Sequence, residues 1–193
     1  MIEQRCDWCG TEPVYVEYHD TEWGVPEWDS RALWEKLILD GFQAGLSWIT
    51  ILKKRDNFRS AFAGFDPTII AGWGEPEVQR LLADSGIVRH RGKIEATIGN
   101  ARAWCEIESR QGFDRYLWDY VDGTPLQNRF ATMAGVPPQT PLSTEMSKQL
   151  KKDGFRFCGP TIVYAFMQAV GMVNDHLVTC PRHDAVATLA QRR

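Results

Sequence analysis

The sequence lacks any hydrophobic run long enough to cross a bilayer. Its longest apolar stretches, such as Thr161 to Val170, fall well short of the ~20 residues a membrane helix needs. It also lacks an excess of positive charge. Lys and Arg number 22 against 25 Asp and Glu, a formal net charge of −3, so global charge does not announce a nucleic-acid partner. No stretch of apolar/polar alternation is bounded by turn residues, so no sheet is expected, and no internal repeat is visible. The opening Met1-Ile2-Glu3-Gln4 has neither a basic cluster nor an apolar stretch, so export is not expected. Five cysteines, an odd number, make a poor disulfide framework, and a cytoplasmic location with reduced thiols is the expectation. Cysteines in that setting serve as metal ligands, nucleophiles or core residues.

What remains is an ordinary globular composition. Hydrophobic residues make up 44% and charged residues 24% of 193, enough for one core and a single domain over residues 1–193, without membrane association. The charge is unevenly spread. Residues 1–30 hold eight acids and one base, while the rest of the chain is net positive by four. Such asymmetry marks either two surfaces with different tasks or one solvated acidic face.

The periodicity is helical nearly throughout, so the expected class is all-α. Ser30 is placed to cap a helix whose stripe is Leu33, Trp34, Leu37 and Ile38, with Gly41 ending it. A short helix is expected from Ser47 to Lys54, another after the cap Asp66-Pro67, and another over Glu77 to Ala83. A long helix follows Gly92, with Ile94, Ile98, Ala101 and Cys105 on one face. Ser143 or Thr144 opens a helix to Lys152 that Gly154 closes, and Gly159-Pro160 opens a central apolar one reaching about Met172. Gly123 to Pro141 reads as a connection, and the tail after Pro181 as a frayed end.

Soft metal ligands gather at both ends of the chain: Cys6, Cys9 and His19 near the start, His176, Cys180 and His183 near the finish. His176 and Cys180 stand at an i, i+4 spacing, and two thiolates with two imidazoles suit tetrahedral zinc. Spacing leaves open whether Cys9 or His19 completes such a set, or whether these are separate core thiols and surface histidines. Cys6-Asp7-Trp8-Cys9 is also a C-x-x-C, but a thiol-redox motif needs a strand before it and a helix after it. Trp8, Tyr15, Tyr18, Trp23, Trp28 and Trp48 crowd the acidic N-terminal quarter. They are either core or a pocket for a flat cation, because ring faces and carboxylates both attract positive charge. Leu81 to Ile94 reads as helix, glycine-containing turn, helix, with Arg89, His90, Arg91 and Lys93 at the turn. Backbone N–H groups and cations at a helix start can grip phosphates without reading bases; the alternative is an ordinary basic turn.

Four runs together resemble a known family: Tyr18 to Pro26, Gly41 to Thr50, Gly86 to Ile94, and Gly171 to His176. They are similar to the 3-methyladenine DNA glycosylases I, bacterial base-excision-repair enzymes, and the likeness spans nearly the whole chain. The resemblance implies a helix-hairpin-helix glycosylase fold with a zinc ion joining the termini. It implies Cys6, His19, His176 and Cys180 as zinc ligands, and leaves Cys9 and His183 without a role. It implies Trp8, Tyr15, Tyr18 and Trp48 as base-binding aromatics. Gly86, Arg89, Arg91, Gly92 and Lys93 take the DNA-binding turn. The pattern departs from the family at Asp40, where the family carries glutamate; the shorter side chain puts direct contact with the base in question.

The expected reaction is hydrolytic release of 3-methyladenine from alkylated double-stranded DNA by a monomer, with the free base as product. Trp8, Tyr18 and Trp48 would hold the flipped ring and Asp40 its edge. Leu46 is either a wedge into the duplex or a core leucine. No lysine is placed for a Schiff base, so no strand cleavage is expected. Two other readings use fragments of the same features: a zinc-stabilised helical DNA-binding module without catalysis, and a thiol oxidoreductase working through Cys6 and Cys9.

Overall fold

The structure, a computed structural model, describes residues 4–189. Its helices are α1 (Pro13–Thr21), α2 (Ser30–Gln43), α3 (Trp48–Leu52), α4 (Arg55–Ala61), α5 (Pro67–Ile70) and α6 (Glu75–Ala83). These are followed by α7 (Arg91–Gln111), α8 (Phe113–Trp118), α9 (Pro141–Lys152), α10 (Pro160–Ala169) and α11 (Pro181–Leu189). Among the described residues no helix is long and apolar enough to cross a membrane.

α2 runs through the centre because Leu33, Trp34, Leu37 and Ile38 form one buried stripe. Its cap is Asp29 rather than Ser30: the Asp29 carboxylate accepts from the amides of Arg31 and Ala32 at 3.0 and 2.8 Å. Gly41 does not end the helix. It lies inside α2, packed against Phe157, and the turn comes at Gly45, whose φ of +83° is left-handed. The main core gathers α2, α7, α9 and α10 around Trp34, Phe42, Phe58, Phe113 and Phe166. A smaller apolar cluster joins Cys6, Tyr18, Trp23, Leu52, Ala169, Leu177 and Cys180, and therefore ties the two ends of the chain together.

Asp66 caps α5 as expected, accepting from the Thr68 amide. Thr140, not Ser143 or Thr144, caps α9, and α10 ends at Ala169. Two features escaped the periodicity. Leu126–Gln127 and Val173–Asn174 pair as a two-residue parallel ladder, too short to alternate, which fastens the 123–141 connection to the C-terminal segment. The segment after Pro181 is a helix with His183 and Val186 buried, not a frayed end, while residues 190–193 lie outside the described part. At Gly171, a Cβ would sit 2.5–2.7 Å from the backbone of residues 24–26. Only glycine lets the chain pass there, and Gly24 and Glu27 donate to the carbonyls of Ala169 and Val170 beside it.

Candidate active site and metal cluster

α1 begins at Pro13, whose fixed φ suits the first helical turn, and carries Tyr15, Tyr18 and His19. Tyr18 and His19 are both buried. His19 meets a short helical turn at Asp7–Cys9 and the loop before α11. There Cys6, His19, His176 and Cys180 bring their ligand atoms within 4.8 Å of one another, all four residues buried. Cys6 Sγ lies 3.7 Å from His176 Nδ1, and Cys180 Sγ 3.7 Å from both His19 Nε2 and His176 Nδ1. The outward nitrogens are occupied. His176 Nε2 donates to the Trp23 carbonyl at 3.0 Å, and His19 Nδ1 faces Asp20 at 2.8 Å. Asp20 is held in turn by Arg5. These partners orient both rings with Nδ1 of His176 and Nε2 of His19 facing inward. The bond to Cys180, reinforced by burial, pushes the Cys6 thiol up, while the same bond, with His176 and His19, holds Cys180 down. The cluster therefore favours at least one thiolate, the form that binds metal.

Cys9 is outside the set: its thiol donates to the Cys6 carbonyl at 3.2 Å. Among the described residues no strand precedes the C-x-x-C and all five cysteines are free, so the redox arrangement is not built there. His183 Nε2 donates to the Asn128 carbonyl at 2.9 Å, which explains its burial without a metal.

The aromatic residues share walls with the metal cluster. Trp8 packs edge-on to Tyr15, Tyr18, His19 and Trp23 with centroids 4.9–6.3 Å apart. Tyr18 meets Trp48 at 5.5 Å. Trp8, Tyr15, Tyr18, Trp48 and Asp40 all line one cleft of about 190 Å³. Asp40 projects from the last turn of α2. Its Oδ1 accepts from Lys36 Nζ at 2.5 Å, whereas its Oδ2 is buried with no partner among the described residues. The indole nitrogens of Trp8 and Trp48 are likewise buried and unpartnered. Three buried polar atoms without a partner among the described residues thus belong to residues that line one small cleft, where buried polar groups are ordinarily paired. Burial pushes the Asp40 carboxyl up and the Lys36 ammonium down, each opposed by the other's charge. Burial, then the nearby Asp40, pushes the Tyr18 phenol up, so it stays a neutral donor.

Beyond the cleft, the turn after α2 is held by the Leu46 amide on the Gln43 carbonyl and by Gln43 Nε2 on the Leu46 carbonyl. It presents Leu46 outward at 42% exposure, so Leu46 is not a core residue. The glycine-containing turn lies between α6 and α7. His90 caps α7 through its Nδ1, which accepts from the Lys93 amide. Arg89 and Arg91 are exposed, with Arg91 paired to Glu75 and Glu95. Gly86 packs against Asn57, and its amide donates to Asp84. Gly92 sits in the first turn of α7, where amides precede the first helical hydrogen bond. Lys93 departs from the surface role its neighbours suggested. It is buried, with Nζ donating to the carbonyls of Phe42 and Ala44 at 2.8 and 2.7 Å. An ammonium committed to two carbonyls at the end of α2 does not face solvent; it ties the α6–α7 turn to the Leu46 turn instead.

Sequence reasoning missed Lys36, Gln43 and Gln168, which also line the cleft. Gln168 Nε2 donates to the buried Asp175, which also accepts from Tyr164 and Asn128. It also missed Lys54, which donates to the carbonyls of Ser85 and Gly86 and braces the hairpin turn. A polar residue one helical turn before Asp40 was the available signal for Lys36.

The cleft belongs to a mostly helical fold in which the turn between α6 and α7 carries the exposed Arg89 and Arg91. The Methyladenine glycosylase family matches residues 8–183, and the chain belongs to that family. It is 51% identical over 178 residues to DNA-3-methyladenine glycosylase 1 of Escherichia coli (strain K12), covering 92% of this chain and 95% of that protein. A crystal structure of 3-methyladenine DNA glycosylase I is 54% identical with a TM-score of 0.92, covering 93% of this chain and all of that one. The Staphylococcus aureus 3-methyladenine DNA glycosylase I, solved to show the structural basis of 3-methyladenine recognition, is 38% identical with a TM-score of 0.90. That alignment covers 92% of this chain and 95% of the other.

Proposed function

We propose that this protein is a monofunctional DNA-repair glycosylase. It acts as a monomer on alkylated double-stranded DNA in the cytoplasm, turns 3-methyladenine into the cleft and hydrolyses its N-glycosyl bond. The observation that carries this reading is the partnerless Asp40 Oδ2 beside Tyr18 and Trp48 in an aromatic cleft. Methylation at N3 makes the base a cation in DNA and hence a good leaving group. The protein's main work is extrusion and recognition rather than strong acid catalysis. Extrusion costs a few kcal/mol, and stacking on aromatic rings returns ~1–3 kcal/mol per base. Trp8, Tyr15, Tyr18 and Trp48 form the slot, and Asp40 Oδ2 accepts from the base edge. The shorter Asp reaches the base because Lys36 fixes its other oxygen and turns Oδ2 free. As the C1′–N9 bond breaks, its electron pair passes to the base, which leaves neutral. Water oxygen bonds to C1′, and its proton passes to solvent.

On the DNA side, we assign α6, the turn and α7 as the helix-hairpin-helix. Gly86, Arg89, Arg91 and the first-turn amides around Gly92 lie against phosphates, and Leu46 enters the gap left in the stack. Lys93 serves as the brace between these two turns. Cys6, His19, His176 and Cys180 are assigned to one structural zinc. With bonds of about 2.3 Å to sulfur and about 2.05 Å to nitrogen, a tetrahedral zinc needs sulfur–nitrogen edges of about 3.6 Å. Three sulfur–nitrogen contacts in the cluster are 3.7 Å, close to that edge, and all four ligand atoms lie within 4.8 Å of one another, which supports the assignment. When bound, the ion holds Trp8 and Tyr18 in place through Cys6 and His19. A titration of free 3-methyladenine into the protein tests the pocket: the wild type binds, and Trp48→Ala weakens binding by about tenfold, the value of one stacking contact. Equal binding by the two would remove the pocket.

A further inference from the structure

Lys36 is an unusual wall for a slot that receives a cation. Its side chain is 16% exposed and lies between α2 and Trp48, with Nζ 2.5 Å from Asp40 Oδ1 and 3.7 Å from the centre of the Trp48 ring. The contact with Asp40 is the ammonium's one hydrogen bond among the described residues. An ammonium has three donors, so two remain. Lys36 also borders a second cavity, of about 290 Å³, that contains Glu22 and Glu35. Both carboxylates already have cations of their own, Arg55 and Arg59. Nothing there draws Lys36 away from Asp40. The cleft thus offers, side by side, a spare donor on Lys36 and a spare acceptor on Asp40.

We propose that Lys36 is a specificity-determining residue. Its Nζ donates to N7 of the methylated adenine while Asp40 Oδ2 accepts from the 6-amino group, and the pair reads one edge of the base. Adenine shows an N7 acceptor next to an N6 donor on that edge, and methylation at N3 leaves both untouched. A carboxylate alone offers only acceptors and would set a lone pair against N7. Guanine shows acceptors at both N7 and O6, so its O6 would face Asp40 without a proton between them, and a 3-methylated guanine is disfavoured. The ion pair is neutral as a unit, which leaves the attraction for a positively charged base to the ring faces of Tyr18 and Trp48.

This inference rests on the base-pocket reading, and its test separates the two. Free 3-methyladenine and its 7-deaza analogue, which lacks the N7 acceptor, are titrated calorimetrically into the zinc-loaded wild type and into Lys36→Met. The wild type prefers 3-methyladenine by about tenfold or more, the value of a hydrogen bond from a charged donor. Lys36→Met, verified as folded by its thermal transition, prefers it by no more than about twofold. If Lys36→Met weakens both bases equally and keeps the wild-type ratio, Lys36 only positions Asp40 and the proposal fails. A wild-type ratio near one overturns it without any variant. If the wild type binds neither base, the pocket reading itself falls, a result distinct from a lost ratio.

Discussion

Replacing Lys93 by Met separates a brace from a phosphate contact. In the structure the ammonium donates to the Phe42 carbonyl in a buried position and to the Ala44 carbonyl nearer the surface. Methionine fills the space of the stem but donates nothing. A buried acceptor left unsatisfied costs about 1–3 kcal/mol, and water can reach the Ala44 carbonyl, so the expected loss is about 2 kcal/mol. For a chain of this size that corresponds to a fall in Tm of about 4–8 °C, read by circular dichroism on the zinc-loaded protein. Below the transition, affinity for undamaged duplex should keep its dependence on salt. A phosphate contact, by contrast, would remove about 0.9 from the slope of log affinity against log salt. An unchanged Tm with a reduced salt slope would refute the reasoning and return Lys93 to the DNA surface.

Three further outcomes follow from the same geometry. Cys180→Ser should purify with less than one zinc per chain and melt at least about 5 °C lower, measured by metal analysis and calorimetry; full zinc content would break the clasp. Asp20→Asn should weaken zinc retention against a chelator about 10–100-fold, because Asp20 orients His19. Hydrogen bonding from Arg5 holds the Asp20 carboxyl below its ordinary value, so its contribution is present at neutral pH and fades as pH falls through that lowered value. The Tm difference between wild type and Asp20→Asn should therefore close on acidification below pH 3.8, and a constant gap would count against the pairing. Leu46→Ala, at an exposed position, should change stability by no more than about 0.5 kcal/mol and leave binding of free base intact. It should slow excision from duplex DNA, and wild-type excision rates would deny Leu46 a wedge role.

Much of this was legible in the residues themselves. Soft donor types are few, so candidate ligands at both chain ends were readable, but spacing left Cys9 and His19 as alternatives, and only the family resemblance selected His19. The stripes of α2 and α7 were readable because a buried helix face repeats every three or four residues. α1, α4 and α8 were harder: α4 has a single large apolar side chain at Phe58, and α8 is too short to show a period. The direction of a long cation was not readable at all. Lys93 looks like its neighbour Arg91 in sequence, yet one is buried under α2 and the other stands in solvent. Lys36 reads as a polar position flanking a helix stripe, and only the approach of Trp48 and the shortness of Asp40 give it a ligand-facing place. The helix after Pro181 is tied through His183 to Asn128, 55 residues away in the chain, and to the nearer Asn174.

The account stands or falls most directly on incubation of alkylated duplex DNA with the purified wild type and with Asp40→Asn, followed by chromatography of the released bases. The wild type should liberate free 3-methyladenine and leave the strands unbroken, and Asp40→Asn should release it at least about tenfold more slowly. No released 3-methyladenine from the wild type, or equal release by the two proteins, would contradict it.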